Sequence, residues 1–148
     1  MDINEAIKSR FKNEKHKASV NLLFTAYWFK DKLVTALRAH DLSLEQHNVM
    51  RILRGSHPEG MRVKDILSRM VEKSSNVPRI IDKLAEKKLA VRVVPAHDKR
   101  ETHCTLTPKG IRAIDDARIT IDKITEEELL INETEAAALN ALLEKMRG

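Results

Sequence analysis

Between Val63 and Thr107 the hydrophobic period of the chain changes once, from helical to strand-like, and this change restricts the fold more than any other feature. Val63, Ile66, Leu67 and Met70 recur at three- and four-residue steps and mark one inward stripe. Val77, Ile81 and Leu84, with Ile80 beside them, mark a second. Only Val71, Glu72 and Lys73, with or without Ser74, separate the two. Short amphipathic helices joined by so brief a turn must cross steeply, as in a helix-turn-helix. After Leu89 the pattern changes. Val91 to Val94 (VRVV) is rich in β-branched residues, Pro95 to Glu101 (PAHDKRE) is a polar turn, and Thr102 to Thr107 (THCTLT) is again β-prone. That predicts a two-stranded hairpin with a charged tip.

The flanks are helical. Residues 5–39 read as one long helix or two abutting ones, with Val20, Leu23, Phe24, Tyr27, Trp28, Leu33, Val34 and Leu37 on a broad apolar face. Ser43 to Gln46 has the form of a capping box opening a helix with Leu44, Val49, Ile52 and Leu53 apolar; Gly55 to Gly60 then reads as a plain loop. Thr107-Pro108 is a helix start, N-cap followed by proline, and Ile111, Ile114, Ala117, Ile121 and Ile124 supply the apolar face behind it. Asn132 to Glu135 resembles a further capping box, opening a last helix with Leu139, Leu142, Leu143 and Met146 inside. The expected fold is mainly α with a small β-hairpin: a helix-turn-helix followed directly by a wing, flanked by helices.

The 148 residues fit one compact unit. Aromatics make up only 3%, so the core must be mostly Leu, Ile, Val, Ala and Met. No apolar run approaches the length needed to span a bilayer, and the polar first 17 residues lack a signal-peptide core. The single cysteine, Cys104, excludes an internal disulfide and a cysteine-based zinc site. A cytoplasmic address is the default expectation. The net charge of +5 is uneven: residues 61–110 hold 12 Lys and Arg against 6 Asp and Glu, and the rest of the chain holds 15 against 16. A central basic excess on a nearly neutral frame is the footprint expected of a nucleic-acid-binding region.

If Val77, Ile81 and Leu84 face the core, the opposite side of that helix displays Ser75, Asn76, Arg79, Asp82, Lys83 and Glu86. A helix fits the major groove of DNA and reads bases mainly with its N-terminal residues. Ser74, Ser75, Asn76, Pro78, Arg79 and Lys83 are therefore the candidate recognition residues, with Ser74 or Ser75 as the N-cap. Pro78 is tolerable only near this end, where a missing N–H costs little. At the hairpin tip, Asp98, Lys99 and Arg100 are candidates for minor-groove contact, Asp98 bracing Arg100. Arg62 and Lys64 are candidate backbone contacts.

At this point the stretch from Ser74 to Gly110 resembles the multiple antibiotic resistance regulator (MarR) family of bacterial transcription factors. The resemblance rests on Arg79 to Leu84 (R-x-I-D-x-L), on Asp98-Lys99-Arg100 at the tip, and on Leu106 to Gly110 (L-T-P-K-G) opening the next helix. It implies a homodimer in which helices from 1–40 and 108–148 interlock and 41–107 forms the winged helix-turn-helix. It implies recognition of a pseudo-palindromic double-stranded DNA operator, the recognition helix in the major groove and the wing in the minor. It also implies repression relieved by a small, often aromatic or phenolic, effector. Three positions depart from the family pattern: Lys88 where glycine is frequent, Arg62 where a Thr or Ser cap is usual, and Pro78 where Thr or Ser is common.

Other signals are thin. Family members that sense peroxide carry a cysteine near the first helix, whereas Cys104 lies in the second hairpin strand and reads as a packing residue. The six histidines form no H-x-x-x-H pair, so no metal site and no cofactor is expected. Tyr27, Trp28 and His47 are candidates for lining an effector pocket. No nucleophile–base pairing, Gly-rich phosphate loop or paired-carboxylate motif points to an enzyme. The alternative reading is a winged-helix module that binds protein rather than DNA; the exposed cations Arg79, Lys83, Lys87, Lys99 and Arg100 argue against it.

Overall fold

The computed structural model describes residues 2–94 and 102–148. The elements run α1 (Ile3–Ile7), α2 (Glu14–Arg38), α3 (Leu44–Gly55), β1 (Met61–Arg62), α4 (Val63–Arg69), α5 (Val77–Glu86), β2 (Ala90–Val93), β3 (His103–Leu106), α6 (Pro108–Lys123), a π-helical turn (Ile124–Glu128) and α7 (Glu133–Arg147). No described helix is long and apolar enough to cross a membrane.

The local start signals act as their chemistry requires. Ser43 Oγ accepts from the Gln46 N–H while Gln46 Oε1 accepts from the Ser43 N–H, and Asn132 and Glu135 do the same for α7. Thr107 Oγ1 accepts from the Gly110 N–H, with Pro108 in the first turn of α6. Two helices end alike. At the end of α5, Lys88 N–H donates to Ala85 O and Leu89 N–H to Leu84 O; at the end of α2, Asp41 N–H donates to Arg38 O and Leu42 N–H to Leu37 O. Lys88 (φ 60°) and Asp41 (φ 52°) take the left-handed conformation that this closure demands. The paired leucines, Leu84 with Leu89 and Leu37 with Leu42, are all buried.

The winged-helix segment holds the core. Val77, Ile81 and Leu84 of α5 are completely buried and pack with Val49, Met50 and Leu53 of α3, Ile66 of α4, Met70, Cys104, Leu106 and Ile114 in one cluster. At about 1.5–3 kcal/mol for each fully buried aliphatic side chain, the α5 stripe is a main anchor of the domain. One expected stripe residue differs, since Leu67 of α4 is exposed. The link from α4 to α5 is also longer than the three or four residues expected, because α4 stops at Arg69 and α5 starts at Val77.

The sheet has three strands in the order β1-β3-β2, not two. Met61 pairs with Cys104 and Arg62 with His103 on one side of β3; Ala90 to Val93 pair with Leu106 to His103 on the other. A two-residue strand shows no alternation, so its sequence carries no period. Gly60 makes it possible: at φ 74° a Cβ there would stand 2.6 Å from Cys104 O, so only glycine lets the chain approach β3 this closely.

The terminal helices differ from this core. Leu37 is the only described residue of α2 that is buried, and α7 buries none. The expected interior positions of α7 are open: Leu142 is 61% and Met146 58% exposed, and Leu139 is exposed as well. The apolar spacing is legible in the sequence, but among the described residues no element covers it.

Candidate nucleic-acid interface

The start of α5 departs from expectation in its cap. Neither Ser74 nor Ser75 is the N-cap; Asn76 is, its Oδ1 accepting from the Arg79 N–H at 3.2 Å. The serines close the preceding turn instead. Ser75 Oγ donates to Glu72 O at 2.7 Å and Ser74 Oγ to Glu72 Oε1 at 3.2 Å. With Asn76 as the cap, Pro78 is the second helical residue, where its missing N–H has no intrahelical partner to lose. The Asn76 amide nitrogen keeps its donors while the oxygen caps.

Ser74, Ser75, Asn76, Arg79 and Lys83 line one cleft of about 330 Å³ between the starts of α3 and α5, together with Ser43, Glu45, Gln46, Glu72 and Ile80. Five of the six candidate recognition residues thus share one surface, and Pro78 is exposed beside it. Glu45 and Glu72 were not anticipated; both come from neighbouring turns that only folding brings to the helix start.

The charges along α5 are sorted by pairing. Lys83 Nζ lies 3.0 Å from Glu86 Oε2. Asp82 is engaged by Arg92 of β2 at 2.6 Å, and the same guanidinium reaches Pro78 O at 3.4 Å. Asp82 is therefore neutralised from the wing strand, which the sequence left unassigned. Among the described residues Arg79 makes no ion pair, and its side chain is exposed at the start of α5.

A second cleft, of about 410 Å³, is lined by Gly60, Met61, Arg62, Asp65, Arg69 and His103. Arg62 occupies the N-cap position of α4 without a side-chain capping bond. Its Nε instead donates to Asp65 Oδ2 at 2.7 Å, and this hydrogen bond holds the Asp65 carboxyl below its ordinary range. Lys64 is exposed on the same helix. The wing candidates Asp98, Lys99 and Arg100 lie outside the described residues.

The effector candidates are not gathered by either cleft. Tyr27 is 71% exposed; Trp28 is exposed with Lys32 Nζ 5.2 Å from its ring centroid, and Lys32 pairs with Glu128 at 2.5 Å. His47 is half-buried on α3, and burial, with Arg51 and His40 nearby, lowers its pKa. Cys104 is fully buried, and burial raises its thiol pKa, which disfavours the reactive thiolate.

With this geometry in view, residues 42–110 match the family described as a winged helix DNA-binding domain. The Staphylococcus aureus MepR–DNA complex superposes with a TM-score of 0.77 at 25% identity, over 86% of this chain and 94% of that one. The chain thus carries a winged helix DNA-binding domain and has, over most of its length, the fold of MarR-family transcription regulators. Two further structures share the fold. A MarR-like transcription regulator from Bacillus cereus ATCC 10987 has a TM-score of 0.77 at 21% identity, over 90% and 96% of the two chains. CouR from Rhodococcus jostii RHA1, bound to p-coumaroyl-CoA, has a TM-score of 0.75 at 21% identity, over 91% and 94%. No curated protein sequence matches the chain. The end of α5 departs from the MarR pattern. Lys88 holds the left-handed position where glycine is frequent, at a steric cost that the buried Leu84–Leu89 contact offsets.

Proposed function

We propose that the protein is a homodimeric regulator that binds a pseudo-palindromic double-stranded DNA operator and represses transcription until a small-molecule effector releases it. The observation that carries DNA reading is the asymmetry of α5: three completely buried residues fix one face, while its N-terminal turn presents Asn76, Pro78 and Arg79, which forms no ion pair among the described residues. A major-groove helix needs this combination of a rigid seat and an exposed N-terminal turn. Arg79 is suited to a guanine edge and the Pro78 ring to a thymine methyl. Arg62, Lys64 and the wing residues Asp98, Lys99 and Arg100 serve the DNA backbone and minor groove in this reading.

A homodimer is supported by the apolar side chains that one protomer leaves uncovered on α2, on α7 and at Leu130, which is 93% exposed. Effector release is supported by the relative that carries p-coumaroyl-CoA, an aromatic acyl thioester. Tyr27, Trp28 and His47 are the positions to probe for it. Selection of bound sequences from random duplex DNA tests the proposal. A recovered palindrome with half-sites about one helical turn apart is the expected result. Recovery of no sequence preference would remove the operator, and monomeric mass at micromolar concentration would remove the dimer.

A further inference from the structure

Lys87, the C-cap residue of α5, ties the recognition helix to the turn between α2 and α3. Its ammonium donates to the backbone carbonyl of Asp41 and lies 3.2 Å from Asp41 Oδ2 and 3.3 Å from Gln46 Oε1. Two of its three donors thus reach acceptors in the protein, and the Asp41 carboxylate pairs with the charge. Asp41 closes α2, so the charge sits at the negative end of a 25-residue helix dipole. Gln46 belongs to the capping box that opens α3.

The other side of the same helix end is tied to α6. Lys109 Nζ donates to Lys87 O at 3.0 Å, and Thr107 Oγ1 donates to Lys88 O at 2.7 Å. Gly110 allows the closeness: a Cβ there would lie 1.9 Å from Leu89 O. The end of α5 remote from its reading turn is thus held between α2 and α6. These helices carry exposed apolar residues such as Leu23 and Ile119.

Resting on the DNA-binding reading above, we propose that Lys87 is a positioning residue that sets the angle of the recognition helix against α2 and α6. In a dimer this angle fixes how the two recognition helices are presented to successive major grooves. Lys87 does not act as a phosphate contact in this reading, because its ammonium is bonded to Asp41 and Gln46 and it lies at the opposite end of α5 from the reading turn.

The test compares the full-length wild type with Lys87→Met, which keeps the aliphatic stem and loses the donors, and with Lys87→Arg. Asp41→Asn, which tolerates the left-handed conformation, probes the other partner. Affinity is measured for a selected duplex and a random duplex across salt concentrations. Amide exchange at Leu42 and Leu89 is measured without DNA. Lys87→Met is expected to bind the selected duplex on the order of tenfold more weakly, with random-duplex affinity and salt slope unchanged. Lys87→Arg should recover most of the loss, Asp41→Asn should show a smaller loss of the same kind, and both amides should exchange faster in Lys87→Met. Equal loss on both duplexes, with the salt slope reduced by about one, would make Lys87 a phosphate contact and overturn the proposal. Unchanged selected-duplex affinity or unchanged exchange would overturn it as well. A wild type that binds neither duplex would defeat the DNA-binding reading itself, whatever the exchange shows.

Discussion

Helices α5 and α7 are both capped by asparagine and both carry an apolar stripe, yet their stripes meet different fates. Val77, Ile81 and Leu84 are completely buried, whereas Leu139, Leu142 and Met146 remain exposed. The difference is one of available cover. The α5 stripe is enclosed by α3, α4 and the sheet of the same chain. Among the described residues the α7 stripe has no such neighbour. Apolar spacing in a sequence specifies that a face will be buried; it does not say by which chain.

The largest expected effect separates the two helices directly. Leu84→Ala should cost about 2–5 kcal/mol of unfolding free energy, the range for emptying a packed leucine site. Leu142→Ala should cost little in a monomer, and its effect should appear as weaker self-association in sedimentation. If dilution below the dimer concentration leaves Leu142→Ala as destabilised as Leu84→Ala, the stripe is covered within the protomer and the contrast fails.

Next in size is the cap of α5. Asn76→Ala should lower stability by about 1 kcal/mol, while Ser75→Ala should lose less, because Ser75 closes a turn rather than capping α5. Urea denaturation of the two variants decides the assignment, and an inverted order would return the cap to Ser75.

The smallest effect lies at the seam between the regions, where His40 Nε2 meets Thr120 Oγ1 at 2.8 Å and His47 is half-buried on α3. The folded pKa of His47 lies below its unfolded value, so the unfolded chain binds the extra proton first. Stability should therefore be full above about pH 6.5 and decline as pH falls below it, until the folded pKa is passed. His47→Gln should flatten that part of the curve in a pH series of denaturant midpoints.

Much of this was legible from spacing alone. The helical stripes of α3 and α5, the paired caps at Ser43 and Asn132, the start of α6 at Thr107 and the hairpin strands follow from short-range periodicity and hydrogen-bonding chemistry. The candidate reading surface was legible for the same reason: the face opposite Val77, Ile81 and Leu84 is set by the helical repeat. The strand β1 was not legible, because two residues define no period and its pairing depends on Gly60 approaching Cys104 forty-four positions away.

The sequence by itself determined the order of elements, the inward face of α5 and the placement of the basic excess, since each rests on interactions within a few residues. Only the tertiary structure decided which of three adjacent polar residues caps α5, that Arg92 neutralises Asp82, and that Lys87 anchors the far end of the helix at Asp41 and Gln46. Ser74, Ser75 and Asn76 are chemically equivalent caps until Glu72 engages the two serines. Arg92 and Lys87 find their partners 10 and 41–46 positions away, through contacts that no local pattern encodes.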